Sequence, residues 1–238
     1  MGAEEKIAVV TGANRGLGRA LTEALARQGA TVLMVCRDGD AGREAEAGLR
    51  AEHLDARLFV ADVEFTADVE RLRAEVEAHY PRVDVLVNNA GVMFSDDDID
   101  FEDMDLEVLI RTMNINFRGA VWMCRQFLRL LRNSESGRII NLTSGLGRLS
   151  HPTGALFPAY SMSKTAINGL TKLLAEELDG SGIIVVSADP GWVKTDLGGD
   201  DAPRDVEEGI DTQLWLATVD ADQIESGRVY CDRTIVDW

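Results

Sequence analysis

With 238 residues, 45% of them apolar, the chain is long enough to bury one sizeable core. Its formal net charge of −17 argues against broad nucleic-acid binding, and it has no run of about 18 apolar residues to span a membrane. Cys36, Cys124 and Cys231 lie too far apart for a zinc cluster or a disulfide framework, so no metal is expected.

Apolar runs and helix-like segments alternate along the chain. "KIAVVTG" predicts a first strand, and "GRALTEALARQG" has helical spacing that stops at Gly29. "TVLMVC", "ARLFVADV", "VDVLVNNAG", "GRIINLTS" and "GIIVVSADPG" predict the next strands, and "SGRVYCD" an edge strand. Helices are expected over "AGREAEAGLRAEH" and over "DVERLRAEVEAHY", the latter ending before Pro81. A long helix is expected from about Asp103 to Arg132, another over Tyr160 to Leu178, and a last one over "RDVEEGIDTQLWLAT". The strands are continuous apolar runs, as in a parallel sheet covered on both faces. The expectation is one α/β domain over residues 1–238, a Rossmann-type doubly wound sheet of about seven mostly parallel strands. Ligands of such sheets sit at the strand carboxyl ends. The loops at about 93–102, 145–159 and 192–205 emerge there and are the expected substrate loops.

"TGANRGLG" joins the first strand to the first helix. Gly12, Gly16 and Gly18 let backbone approach a pyrophosphate, and the helix N-terminus behind them favours negative charge. Asn14, Arg15 and Leu17 share this turn and are candidate cofactor contacts. At the end of the second strand a free 2′-hydroxyl is usually met by an acid and a 2′-phosphate by arginine. "MVCRD" puts Cys36 there, followed by Arg37, with Arg15 as a second cation, which favours NADP(H) over NAD(H). Asp38 is the competing residue, because a slot shifted by one would reverse the preference. Asp62 and Val63 end the third strand beside the expected adenine. Asn89, Ala90 and Gly91 end the fourth, where Asn88 and Asn89 either touch the cofactor or tie strand ends together.

In "AYSMSKTAINGL", Tyr160 and Lys164 are four residues apart and point off one helical face. Together with "TGANRGLG", "NNAG", "NINFRG", "IINLTS" and "PGWVKTDLGG", in this order and spacing, the chain resembles the classical short-chain dehydrogenases/reductases over nearly its whole length. "CRD" and the end "SGRVYCDRTIVDW" resemble the NADPH-dependent carbonyl-reductase-like members. The resemblance implies a catalytic set of Asn116, Ser144, Tyr160 and Lys164, with Asn114 and Thr143 as lesser competitors. It implies that Tyr160 supplies a proton and that Lys164 lowers its pKa and bonds the nicotinamide ribose. Ser144 then holds the substrate oxygen and Asn116 a relay water. Pro190 and Gly191 would shape a turn, and Val193 and Thr195 would meet the nicotinamide amide or pyrophosphate. "GLGRLSHPTGALFPA", between Ser144 and Tyr160, is longer than in compact members, so the pocket cannot be copied from one.

The implied reaction is hydride transfer between NADP(H) and a carbonyl/alcohol pair, reducing an aldehyde or ketone. The alternatives are an NAD-dependent alcohol dehydrogenase and a non-catalytic nucleotide-sensing regulator on the same fold. Met93, Phe94, Leu149, Leu156 and Phe157 are candidate pocket walls or plain packing, and Trp192 is a pocket wall or a core cover. His151, His53 and His79 are expected to face solvent. The family's pairing helices suggest a homodimer or homotetramer, with Trp122, Met123 and Phe127 facing a partner chain or the core. "MGAEEK" lacks a signal peptide's basic region and has Lys6 where a myristoylation site carries Ser or Thr, which points to the cytoplasm. The acid excess reads as a solvated surface or as adaptation to high salt.

Overall fold

In the computed structural model, which describes residues 6–150 and 157–238, alternate residues of each central strand feed two cores. On β1 (Ile7–Thr11), Ala8 and Val10 join one cluster while Ile7 and Val9 join the other. This is the pleat's period of two in a strand covered on both faces. β2 (Thr31–Cys36), β4 (Val85–Asn88) and β5 (Arg138–Leu142) are likewise wholly buried. β3 (Ala56–Val60), at the sheet edge, is buried only at intervals.

The sheet order is β3-β2-β1-β4-β5-β6-β7-β8, with β6 at Ile184–Ala188, β7 at Val229–Cys231 and β8 at Thr234–Val236. All pairs are parallel except β7–β8. The expected sheet thus gains an eighth, antiparallel strand. The turn between β7 and β8 is held by left-handed Asp232 and Arg233 (φ 50° and 57°). Strand order reverses between β1 and β4, which opens the crevice where such sheets take ligands.

The helices are α1 (Gly16–Arg27), α2 (Gly39–Ala51), α3 (Thr66–His79), α4 (Leu106–Met113), α5 (Gly119–Arg132), α6 (Pro158–Glu177) and α7 (Val206–Thr218). The long helix expected from about Asp103 is in fact α4 and α5 joined by a π turn over Asn114–Arg118. Such turns often mark functional sites. Met123 and Phe127 are fully buried, which decides for the core between the two readings left open for them. With Ala120, Cys124 and Leu130 they form the stripe that α5 lays on the sheet beside α3. Trp122 is half-buried under the Arg125 guanidinium, 4.7 Å from its ring. Among the described residues no helix is long and apolar enough to cross a membrane.

A buried polar ladder ties α6 to the sheet. Asn88 Nδ2 donates to Asn141 Oδ1 (2.8 Å), Asn141 Nδ2 to Thr171 Oγ1 (2.9 Å), and Thr171 and Ser187 share a hydrogen bond of 2.8 Å. Each broken rung would leave a buried polar group unpaired, so the helix is held at one height above β4, β5 and β6.

Candidate active site

At the carboxyl end of β1 the chain turns through Gly12 and Gly16, both at positive φ (67° and 53°). A Cβ on Gly18 would lie 2.3 Å from the Gly12 carbonyl, and one on Gly12 3.1 Å from Ala90 Cα, so only glycine fits this cradle. The Thr11 hydroxyl accepts the N–H groups of Asn89 (3.0 Å) and Ala90 (2.9 Å), while Asn89 Nδ2 donates to Thr11 O (2.7 Å). The strand-end tie is therefore the observed use of the Asn89 amide, and Asn88 is spent in the ladder. Leu17 packs where α7 passes at Gly209. Arg15 precedes α1 and pairs with Asp196, and Asn14 lies beside it, partly exposed.

Arg37 directly follows β2, its Nε 4.0 Å from Asp62 Oδ2. Asp38 caps α2, its Oδ1 accepting the N–H groups of Asp40 and Ala41. Val63 spends its side chain on Gly119, where a Cβ would sit 3.0 Å away.

The expected catalytic residues converge beside Gly91. A Cβ there would lie 3.4 Å from Asn116 Oδ1 and 3.5 Å from Lys164 Nζ. Asn116, in the π turn, accepts the Val92 N–H (2.8 Å) and donates to Val92 O (2.9 Å) and Ser163 Oγ (3.0 Å). Asn114 points away and accepts from Arg118. Ser144, just past β5, accepts the Leu146 N–H (3.2 Å) and lies close enough to the Tyr160 phenol to favour its ionised form, whereas Thr143 donates to Lys164 O (3.3 Å). Lys164 Nζ donates to Leu142 O (2.9 Å) and stands 5.4 Å from the centre of the Tyr160 ring.

Residues 6–205 match the family model for short chain dehydrogenases. The chain belongs to that family. It is 31% identical to carbonyl reductase [NADPH] 3 of Rattus norvegicus, in an alignment that covers 98% of each chain. It is 29% identical to carbonyl reductase [NADPH] 1 of Mus musculus, with both chains fully covered. Among solved structures, the carbonyl reductase Sniffer of D. melanogaster superposes with a TM-score of 0.89 at 28% identity, over 99% of this chain and 100% of the other. A short chain dehydrogenase of Escherichia coli CFT073, crystallised with NADPH, gives a TM-score of 0.87 at 25% identity over 95% of each.

In this short-chain dehydrogenase the electrostatics of the Tyr160–Lys164 pair differ from the expectation. Burial pushes the Tyr160 phenol up to about 12, with the Ser144 hydrogen bond opposing and the Asp189 charge adding to the rise. Burial likewise draws Lys164 down to about 8, against the pull of Asp189. Burial is the largest cause of both shifts, and it moves the phenol opposite to the direction expected from a neighbouring ammonium. At neutral pH the phenol is protonated, the state a proton donor requires.

The Asp189–Arg148 pair escaped the sequence reading. Asp189, 3% exposed, directly follows β6 and accepts from Arg148 Nη2 (2.5 Å) and from the Gly191 N–H (2.9 Å). An acid between an apolar strand and Pro190 was the signal available. Beyond it Val193 is buried against Gly209, while Thr195 lies over the glycine turn, 3.5 Å from a Cβ on Gly16. A bridge between Val193 and Arg204 closes the base of the third loop, and Arg204 Nη1 donates to Pro190 O (3.3 Å). Trp192 is 56% exposed, so it covers no core. Leu149 is exposed, Phe94 packs under Arg111, and Phe157 is half-buried, as is Met93. His53 and His79 face solvent, whereas His151 and Leu156 lie outside the described residues.

Proposed function

We propose that this chain is an NADP(H)-dependent carbonyl reductase that reduces an aldehyde or ketone to the alcohol. The observation that carries the reading is the Ser144–Tyr160–Lys164 cluster, packed beside Gly91 and one strand away from the glycine cradle. Its relatives are carbonyl reductases whose names specify NADPH, and the fit of Gly12 and Gly18 to close backbone approach supports a dinucleotide here. Arg15 and Arg37, with side chains 69% and 67% exposed, are free to turn toward a 2′-phosphate. The wider contact set assigned to the cofactor runs through Asn14, Gly16, Leu17, Asp62, Val63, Asn89, Ala90, Pro190, Gly191, Val193 and Thr195.

The bound cofactor supplies the hydride. Ser144 donates a hydrogen bond to the substrate oxygen, and Tyr160 Oη passes its proton to that oxygen as negative charge builds. Lys164, anchored on Leu142 O, keeps a positive charge next to the phenolate left behind. Asn116 holds the Val92 backbone and Ser163, and so fixes the wall opposite Lys164. Loops 93–102, 145–159 and 192–205 are assigned to substrate recognition. A cytoplasmic location and self-association belong to the same proposal. Leu106 and Ile110, one turn apart on α4 and 65% and 50% exposed, offer an apolar face for a second copy.

The test is turnover of a panel of small and bulky aldehydes and ketones with NADPH and with NADH. NADPH is expected to be the better cofactor, and Tyr160→Phe to lower kcat by about 10³-fold. No turnover with any carbonyl, or a fully active Tyr160→Phe enzyme, overturns the reading.

A further inference from the structure

The acidic stretch "SDDDIDFEDMD" has one member unlike the rest. Asp97 is fully buried, whereas Asp96, Asp98, Asp100, Glu102 and Asp103 are exposed. Its carboxylate oxygens accept the backbone N–H groups of Ala159 (2.9 Å) and Tyr160 (2.8 Å). These are orphan donors of the first turn of α6. The residue before that helix, Phe157, has no side-chain oxygen to cap it and sits at a left-handed φ of 49°, while Pro158 opens the helix without an N–H. The cap therefore comes from a segment more than sixty residues away in sequence, and it grips the backbone of the tyrosine expected to donate the proton.

The carbonyl side of the same residue is held too. Ser163 Oγ donates to Tyr160 O (2.7 Å) and accepts from Asn116 Nδ2 (3.0 Å), and Asn116 is bonded twice to Val92. The strap from Val92 to Asp97 thus reaches the Tyr160 backbone by two routes, one through Asn116 and Ser163 and one through its own carboxylate.

We infer that Asp97 is a positioning residue that sets the reach of the Tyr160 phenol and couples the first substrate loop to the proton donor. This rests on the catalytic role given to Tyr160 above. Around the phenol lie Ser144 from the turn after β5, Asp189 with its partner Arg148 across the ends of β6 and β5, and Lys164 on α6 itself, while Asp97 meets the Tyr160 backbone from the strap. A misplacement of about 1 Å at a reacting group costs on the order of 10²-fold in rate.

The test measures kcat for carbonyl reduction, the dissociation constant for NADPH and the pH profile of kcat in Asp97→Ala and Asp97→Asn. Asp97→Ala is expected to lower kcat by about 30- to 100-fold while the NADPH constant stays within about twofold. Asp97→Asn keeps one acceptor oxygen but turns an NH2 donor toward the other N–H, so it is expected to recover kcat only in part, to a value between those of Asp97→Ala and the parent. The alkaline limb of the kcat profile is expected to stay in place in both variants, because Asp97 meets the backbone of Tyr160 and not its phenol. An Asp97→Ala enzyme with parental kcat overturns the inference. So does a parallel loss of NADPH binding, or of cooperative melting, in both variants, which would make Asp97 a folding residue. Tyr160→Phe serves as the control: if that variant is fully active the catalytic reading fails, and if it is inactive beside a parental Asp97→Ala enzyme only the role of Asp97 fails.

Discussion

The two halves of the cleft are built differently. On the glycine-turn side, β1 and β4 are laced by their own ends: Thr11 accepts two N–H groups from the neighbouring strand, and Gly12 and Gly18 pack where no Cβ fits. On the substrate side, order comes from buried carboxylates carried in from far away in sequence. Asp97 reaches the first turn of α6, and Asp189 meets Arg148 behind Ser144. The ties on the glycine-turn side are neutral, so losing one strands no charge. A buried charge pair differs, since removing one partner strands the other. The substrate side should therefore be the more fragile half.

The largest effect is expected at the Arg148–Asp189 pair, whose side chains are only 19% and 3% exposed. Arg148→Ala leaves Asp189 unpaired, and breaking a buried pair in this way costs about 3–5 kcal/mol. Chemical denaturation would read this as a lower midpoint at unchanged slope. If Arg148→Ala costs no more than an exposed change such as Arg27→Ala, the contrast between the halves is wrong.

The same pair sharpens the comparison through pH. Lys164 is held at about 8 in the folded protein, below its ordinary 10.5. Between these values the unfolded chain binds the extra proton, so this group's contribution to stability rises as pH passes from about 8 toward 10.5. Tyr160, raised from 10.0 to about 12, acts in the other direction, and stability falls as pH climbs through that window. Activity follows the charge on Lys164: kcat/KM for NADPH, which reports free-enzyme groups, should decline as pH passes about 8. Asp189→Asn should move that limb down, since it removes the anion that favours the ammonium, and Arg148→Ala should move it up. Shifts in the same direction for both variants would refute the electrostatic account.

A smaller effect is expected on the cofactor side. Arg37→Ala should raise KM for NADPH by about 10- to 100-fold, the worth of about 1.5–3 kcal/mol for a charged hydrogen bond, and leave KM for NADH nearly unchanged. Equal losses for both cofactors would remove Arg37 from phosphate recognition.

The same division governs what the sequence discloses. Gly12, Gly18 and the Tyr160–Lys164 pair are legible because local geometry demands those residue types at those spacings, whereas Ser144 is legible only through the family resemblance. Asp97 is not legible, because one buried acid in a run of exposed ones has no distinguishing neighbour. The π turn at Asn114–Arg118 hides inside a continuous helical pattern, and Met123 and Phe127 suit an interface as well as a core until α3 is seen against α5. The direction of the Tyr160 shift was missed for a related reason. A neighbouring ammonium can be read from a spacing of four, but depth of burial cannot, and burial decides here.

Salt should give the smallest effect and act oppositely on the two halves. At about 0.15 M the Debye length is about 8 Å, and at about 1 M it is about 3 Å. A net charge of −17 repels itself, and exposed acids such as Asp96, Asp98, Asp100, Glu102 and Asp103 crowd the mouth of the substrate side, so screening relieves that repulsion. The exposed ion pairs that salt weakens, such as Arg27–Glu52 with side chains 53% and 49% exposed, contribute little each. Net stability should rise toward molar salt, and each kcal/mol gained appears as about 2–4 °C in Tm for a chain of this size. On the cofactor side the balance reverses. Arg15 and Arg37 are exposed cations whose attraction to phosphate is screened, so KM for NADPH should rise over the same range. A Tm that is flat or falls with salt would retire the high-salt reading of the composition. A KM that is indifferent to salt would count against Arg15 and Arg37 as the groups that recognise the 2′-phosphate.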